Sequence, residues 1–189
     1  MRPEEVLESI EALAPRQGLP IIGPKRGRFL DEVVETHRPS SILEVGTLVG
    51  YSAIRMGRHL DDAGRMVCIE LRDDMAQVAR ENITRAGLDG KTKVIVGDAR
   101  TVLPTLNERF DMVFLDAVKG DYLTYLKSIE RTLHRGSVVV ADNVKSHSVE
   151  VTPYLEYVRN SGLYSSAYRE APPSFGTGPG DAVEISVRL

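Results

Sequence analysis

Short β-branched runs alternate with amphipathic stretches along the 189 residues of the chain. The segments at about 41–45, 65–70, 92–96, 111–116, 136–141, 163–169 and 181–188 are the predicted strands. Between them, helical spacing predicts helices over 24–35, 51–60, 73–86, 122–133 and 149–160, the first with Phe29, Leu30, Val33 and Val34 on one face. Residues 3–13 form a further amphipathic helix outside the repeat. Gly87, Gly136 and Gly162 fall where helices should end, and Asp73 is placed to cap the helix that follows it. This alternation predicts an α/β, doubly wound, mostly parallel seven-stranded sheet covered by helices on both faces. The last two strands are joined by residues 171–180, a segment too short and too rich in Pro and Gly for a helix, and so predict an antiparallel hairpin at the sheet edge. With no repeats, linkers or low-complexity tracts, 1–189 reads as a single domain in which 1–22 is a short helical extension.

Composition narrows the class. A hydrophobic content of 42% suits a soluble globular chain, and no apolar run approaches the ~18 residues of a membrane span. The net charge of −3 gives no global attraction to nucleic acid or anionic membranes, although Lys25, Arg26 and Arg28 make a small basic cluster that a solvated loop explains equally well. The single Cys68 excludes an internal disulfide and sits in an apolar run, as a buried small hydrophobe in a reducing compartment; a cytoplasmic location follows. The N-terminus Met1-Arg2-Pro3-Glu4-Glu5 carries no apolar signal region.

Candidate chemistry gathers at the predicted strand ends. In Ile42-Leu43-Glu44-Val45-Gly46-Thr47-Leu48-Val49-Gly50-Tyr51-Ser52 an apolar run ends in an acid and a glycine-spaced turn that opens a helix. Gly46 would let the backbone approach a ligand, and Gly50 begins a segment whose N–H groups favour an anion. The spacing Glu-x-Gly-x-x-x-Gly lacks the third glycine of nicotinamide enzymes and the Gly-Lys-Ser/Thr ending of a P-loop. In an open α/β sheet the ligand sits beyond the carboxyl ends of the strands. Those ends carry Glu44 and Gly46, Glu70 with Leu71 after it, Gly97-Asp98-Ala99, Asp116 and Lys119, and Asp142-Asn143. Taken singly, Glu70, Asp98 and Asp142 read as caps or loop carboxylates and Lys119 as a solvated lysine; five polar strand ends together read as a site.

Glu70 follows Gly50 by twenty residues, where a carboxylate accepts both hydroxyls of an adenosine ribose. Asp98 is placed to accept from an adenine amino group with the Ala99 backbone beside the ring. Ser52 and the helix start at Tyr51 would hold an anionic tail, which in S-adenosylmethionine is the methionine carboxylate. Asp116, Asp142 and Asn143 are hard oxygen donors suited to Mg²⁺ or another divalent cation, able to hold two neighbouring substrate oxygens. Lys119, one helical turn from Asp116, is placed to accept a hydroxyl proton.

These residues resemble the cation-dependent S-adenosylmethionine O-methyltransferases, the family that includes catechol and caffeoyl-CoA O-methyltransferases. Leu43-Glu44-Val45-Gly46-x-x-x-Gly50-Tyr51-Ser52-Ala53, Phe114-Leu115-Asp116-Ala117-Val118-Lys119-x-x-Tyr122 and Ala141-Asp142-Asn143-Val144 are similar to its three best-known segments, and the likeness runs from about Gly23 to Leu189. The resemblance implies a Rossmann-like class I methyltransferase fold. It implies Asp116, Asp142 and Asn143 as metal ligands, Lys119 as base, Glu70 as ribose ligand, and Ile22, Gly46 and Ser52 near the methionine moiety. Around them, Glu44, Gly50, Leu71, Gly97, Asp98, Ala99 and Asp116 complete the expected cofactor site. Departures bear on the acceptor: there is no tryptophan, the aromatic gatekeeper position before the lysine is Val118, and Ser174-Phe175-Gly176-Thr177 offers no obvious acid for the second acceptor hydroxyl. The leading expectation is methylation of one hydroxyl of a small vicinal-diol aromatic. Methylation of a hydroxylated tRNA uridine, with Lys25, Arg26 and Arg28 meeting phosphates, is the alternative. A non-catalytic cofactor-binding scaffold is the third reading. The edge hairpin and the N-terminal helix are candidate surfaces for a homodimer.

Overall fold

A computed structural model describes residues 1–177 and 179–189; Gly178, in the Pro/Gly-rich connection before the last strand, lies outside the described residues. Seven strands form one sheet: β1 (Ser41–Val45), β2 (Arg65–Glu70), β3 (Thr92–Val96), β4 (Phe110–Leu115), β5 (Leu133–Ala141), β6 (Tyr164–Ala171) and β7 (Asp181–Arg188). Their order is β3-β2-β1-β4-β5-β7-β6. The first five are mutually parallel, whereas β7 runs antiparallel to both β5 and β6. The expected doubly wound sheet with a C-terminal antiparallel hairpin is therefore present. The order reverses between β1 and β4, which opens a crevice at their carboxyl ends.

Strand periodicity divides the core in two. Ile42, Met66, Met112 and Val138 point to one face, covered by α1 (Pro3–Gln17), α2 (Gly23–His37), α3 (Tyr51–Gly57) and α4 (Asp73–Arg85). Leu43, Val67, Val113 and Val139 point to the other, under α5 (Ala99–Val102), α6 (Tyr122–Ile129) and α7 (Thr152–Asn160). α1 is part of the body of the fold, burying Val6, Leu7, Ile10 and Ala14. The Tyr51 hydroxyl of α3 donates to Glu11 of α1 at 2.5 Å and accepts from Arg55 at 3.1 Å.

Several boundaries differ from the expected ones for physical reasons. Gly136 does not end a helix: α6 stops at Ile129, a short 3-10 turn follows, and β5 already begins at Leu133. Gly136 sits inside that strand with φ 92°, where the pairing of β5 with β4 shifts register. Asp73 is the first helical residue of α4, and Arg72 occupies the cap position. α7 starts at Thr152, later than the expected 149, because Pro153 fits only the first turn of a helix. α1 runs on past residue 13 to Gln17, with Pro15 in its last turn, and stops at Gly18 with φ 65°. The short α5 has no counterpart in the periodicity. Among the described residues no helix is long and apolar enough to cross a membrane.

Candidate active site

A cleft of about 630 Å³ opens over the carboxyl ends of β1, β2, β4 and β5. Of the expected site residues, Ile22, Gly46, Ser52, Glu70, Leu71, Gly97, Asp98, Ala99, Asp116, Lys119, Asp142 and Asn143 line it. Glu44 and Gly50 do not.

Glu44, next to last in β1, is fully buried outside the cleft lining and accepts hydrogen bonds from the hydroxyls of Thr47 and Ser52. Burial pushes its carboxyl up to about 7 against the pull of those hydroxyls. It shapes the loop from below. Gly50 caps α3 with φ 83°, and a Cβ there would press on the Ala79 backbone of α4, so this glycine serves helix packing. The missing Cβ of Gly46 leaves room for protein backbone: at φ 94°, a Cβ would lie 2.4 Å from the Asp116 carbonyl oxygen. That close approach brings the β1 and β4 loops together.

At one end of the cleft Glu70 is largely buried and rigidly held. Its Oε2 accepts from the Leu48 N–H and its Oε1 from the Arg72 N–H, both at 2.9 Å. Each oxygen keeps a lone pair for a further donor such as a ribose hydroxyl. Asp98 caps α5 through the Arg100 N–H at 2.8 Å and is embraced by the Arg100 guanidinium, which first among its partners holds its carboxyl below the usual range. The capping reading of Asp98 is thus realised at the rim of the cleft, and its oxygens already serve Arg100.

At the other end two carboxylates share one small volume. Asp116 accepts from Lys119 Nζ at 2.6 Å, and Asp142, 1% exposed, accepts from Arg26 Nη1 at 3.0 and 3.3 Å. Burial first, and then the Asp116 charge, pushes Asp142 up to about 6; burial also raises Asp116, although Lys119 and Arg26 pull it down. Arg26 and Lys119 act as resident counter-charges for a like-charged pair that burial alone would protonate. Asn143 follows in the left-handed region at φ 61°. Its amide Nδ2 donates to Asp181 at 2.9 Å. Among the described residues no group of three or more His, Cys, Asp or Glu side chains forms a metal cluster; the set here is two carboxylates and an amide carbonyl. An all-oxygen set containing two adjacent carboxylates fits a hard divalent cation.

Two residues of this end were missed. Arg26, one of the basic trio in sequence, is buried against Asp142, while Lys25 and Arg28 stay at the surface, with Lys25 donating to the Gly176 carbonyl at 2.6 Å. Asp181 opens β7, and because that strand is antiparallel its first residue lies beside the carboxyl ends of its neighbours. An acid at the start of the hairpin's second strand was the available signal. Burial raises the Asp181 carboxyl, but hydrogen bonds from Ser146, Asn143 and backbone N–H groups outweigh it and leave it well below the usual range.

Strand order, the crevice at the switch point and the charged cluster together define a class I methyltransferase. The O-methyltransferase from Bacillus cereus in complex with SAH superposes with a TM-score of 0.87 at 28% identity, covering 98% of this chain and 91% of that one. The O-methyltransferase family model matches residues 4–157, and the chain belongs to that family. Catechol O-methyltransferase B of Danio rerio is 36% identical over 195 residues, 99% of this chain and 73% of the relative. Catechol O-methyltransferase of Mus musculus is 34% identical over 175 residues, 88% of this chain and 65% of the relative. The chain thus spans about two thirds to three quarters of the length of these relatives. The resemblance carried by the Glu44, Asp116 and Asp142 segments is borne out.

Proposed function

We propose that the chain transfers the methyl group of S-adenosylmethionine to one hydroxyl of a small catechol-type acceptor, with Mg²⁺ or another divalent cation held by Asp116, Asp142 and Asn143. The observation that carries this reading is the pairing, in one cleft, of a buried ribose-type carboxylate, Glu70, with a dicarboxylate cluster bearing a lysine amine at 2.6 Å. The SAH bound by the Bacillus cereus structure and the names of the catechol relatives support the donor and the acceptor class.

Glu70 would accept the ribose hydroxyls, and Ser52, with Ile22 and the first turn of α3, would flank the methionine end. When bound, the divalent cation supplies the positive charge that favours an ionised acceptor oxygen. With the cation taking over as counter-charge to Asp116, Lys119 would release its own proton to solvent, and its neutral Nζ would then receive the acceptor proton. The bond formed joins acceptor oxygen to methyl carbon, and the bond broken joins that carbon to the sulfonium sulfur, giving a methyl ether and S-adenosylhomocysteine. Because the reacting atoms must be collinear, these side chains act mainly by alignment and charge placement. The buried Cys68, whose thiol burial and the Glu44 charge push up, is inert and suits a reducing cytoplasm.

Incubation with methyl-labelled S-adenosylmethionine, Mg²⁺ and a panel of catechols, beside bulk modified and unmodified tRNA, tests the reading. Labelled catechol ethers are expected. Label in tRNA alone would overturn the acceptor assignment, and donor binding without any transfer would favour a scaffold.

A further inference from the structure

Whether Asn143 can serve a cation depends on which end of its amide faces the cleft, since only the carbonyl oxygen is a ligand and the NH₂ group repels a cation. We propose that Asp181 is the positioning residue that sets this orientation, so that cation affinity at the Asp116–Asp142–Asn143 set depends on a carboxylate outside it. The inference rests on the cation reading above.

An ionised carboxylate accepts hydrogen bonds and cannot donate, so beside Asp181 Oδ2 only the Nδ2 end of Asn143 can sit, here at 2.9 Å. That commits the amide nitrogen to Asp181 and leaves the carbonyl oxygen for the cleft that Asn143 lines. Asp181 is itself immobilised. Its Oδ1 accepts from the N–H groups of Lys145 at 3.1 Å, Ser146 at 3.0 Å and Ala182 at 2.8 Å, and its Oδ2 also accepts from the Ser146 hydroxyl. Only 5% of Asp181 is exposed, so water does not compete for these bonds. The left-handed backbone of Asn143, at φ 61°, ties the direction of its side chain to the turn that the same carboxylate holds. One acid thus fixes both the turn after β5 and the polarity of the amide it presents. An asparagine at 181 could offer either end of its own amide, and Asn143 would no longer have a single favoured orientation.

The test is Mn²⁺ binding to the methyl-donor-free protein, read by electron spin resonance, for wild type, Asp181→Asn, Asn143→Ala and the double variant. Loss of a ligand-orienting partner is expected to weaken Mn²⁺ binding by about 10–100-fold in Asp181→Asn. If Asp181 acts through Asn143, the double variant should match Asn143→Ala within about twofold, rather than lose both increments. S-adenosylmethionine affinity, governed by the far end of the cleft, should stay within about twofold of wild type in all folded variants. Additive losses, or a folded Asp181→Asn protein that binds Mn²⁺ like wild type, would overturn the inference while leaving the cation reading standing. Wild type that binds no Mn²⁺ would sink the cation reading and the inference together. A readout independent of whether Asp181→Asn folds is the wild-type Asn143 side-chain amide signal, identified by its loss in Asn143→Ala. Slow exchange with solvent is expected, and exchange at the free-amide rate contradicts the Asp181 bond.

Discussion

Glu44 shows how one buried side chain links sequence, stability and site. Its carboxyl has a higher pKa folded, about 7, than its ordinary 4.5, so the folded state binds its proton more tightly. Its contribution is therefore complete below about pH 4.5 and is lost as pH rises through about 7. At about 1.4 kcal/mol per pH unit this amounts to about 3 kcal/mol. Glu44→Gln should remove that dependence: denaturant unfolding at pH 4.5 and pH 8 should show wild type losing about 3 kcal/mol relative to the variant. An equal change in both would mean that Glu44 does not titrate in this range. Glu70 faces the cleft, and both of its oxygens meet backbone N–H groups at the cleft wall. Glu70→Ala should weaken S-adenosylmethionine binding by about 1.5–3 kcal/mol in calorimetric titration; unchanged affinity would show that the ribose is held elsewhere. Lys119→Ala should lower kcat by about 10²–10⁴-fold with KM little changed. Part of the rate should return at higher pH, where the acceptor hydroxyl ionises without the amine. A rise in KM with kcat intact would make Lys119 a binding residue instead.

Among the elements, the loops after β1 and β4 are joined by an absence of side chain. Gly46 combines φ 94° with an approach to the Asp116 backbone that leaves no room for a methyl group, and backbone cannot yield as a side-chain tip can. Gly46→Ala should cost about 3 kcal/mol, a fall of about 6–12 °C in Tm by calorimetry. A shift below about 2 °C would mean that the two loops are not packed as described. The central strands β1, β2 and β4 were legible because strands buried on both faces are apolar runs that no helical period explains, whereas the edge strand β6, mostly exposed and polar, was marked by the breakers that bound it. Their ends were less so. β5 continues through Gly136 because a register shift, invisible to periodicity, absorbs the glycine. α5 was unreadable for a different reason: four residues are too few to display a helical period.

For the whole molecule, the strand order explains why the candidate site could be found at all. Parallel strands place their carboxyl ends along one edge, so acids scattered from Glu70 to Asp142 in sequence converge at the switch point. What remained hidden came from outside that rule. Arg26 belongs to a helix, and Asp181 to the one strand that starts, rather than ends, beside its parallel neighbours. Both act on residues that were legible, Arg26 as the counter-charge of Asp142 and Asp181 as the partner of Asn143. The division of the cleft into a donor end at Glu70 and an acceptor end at Asp116, Asp142 and Asn143 is the central claim. It is tested most directly by measuring methyl transfer to a catechol and S-adenosylmethionine binding in the same protein before and after EDTA treatment and Mg²⁺ replenishment. Transfer should vanish on chelation and return with Mg²⁺ while donor affinity stays within about threefold; full transfer by metal-stripped protein would contradict the account.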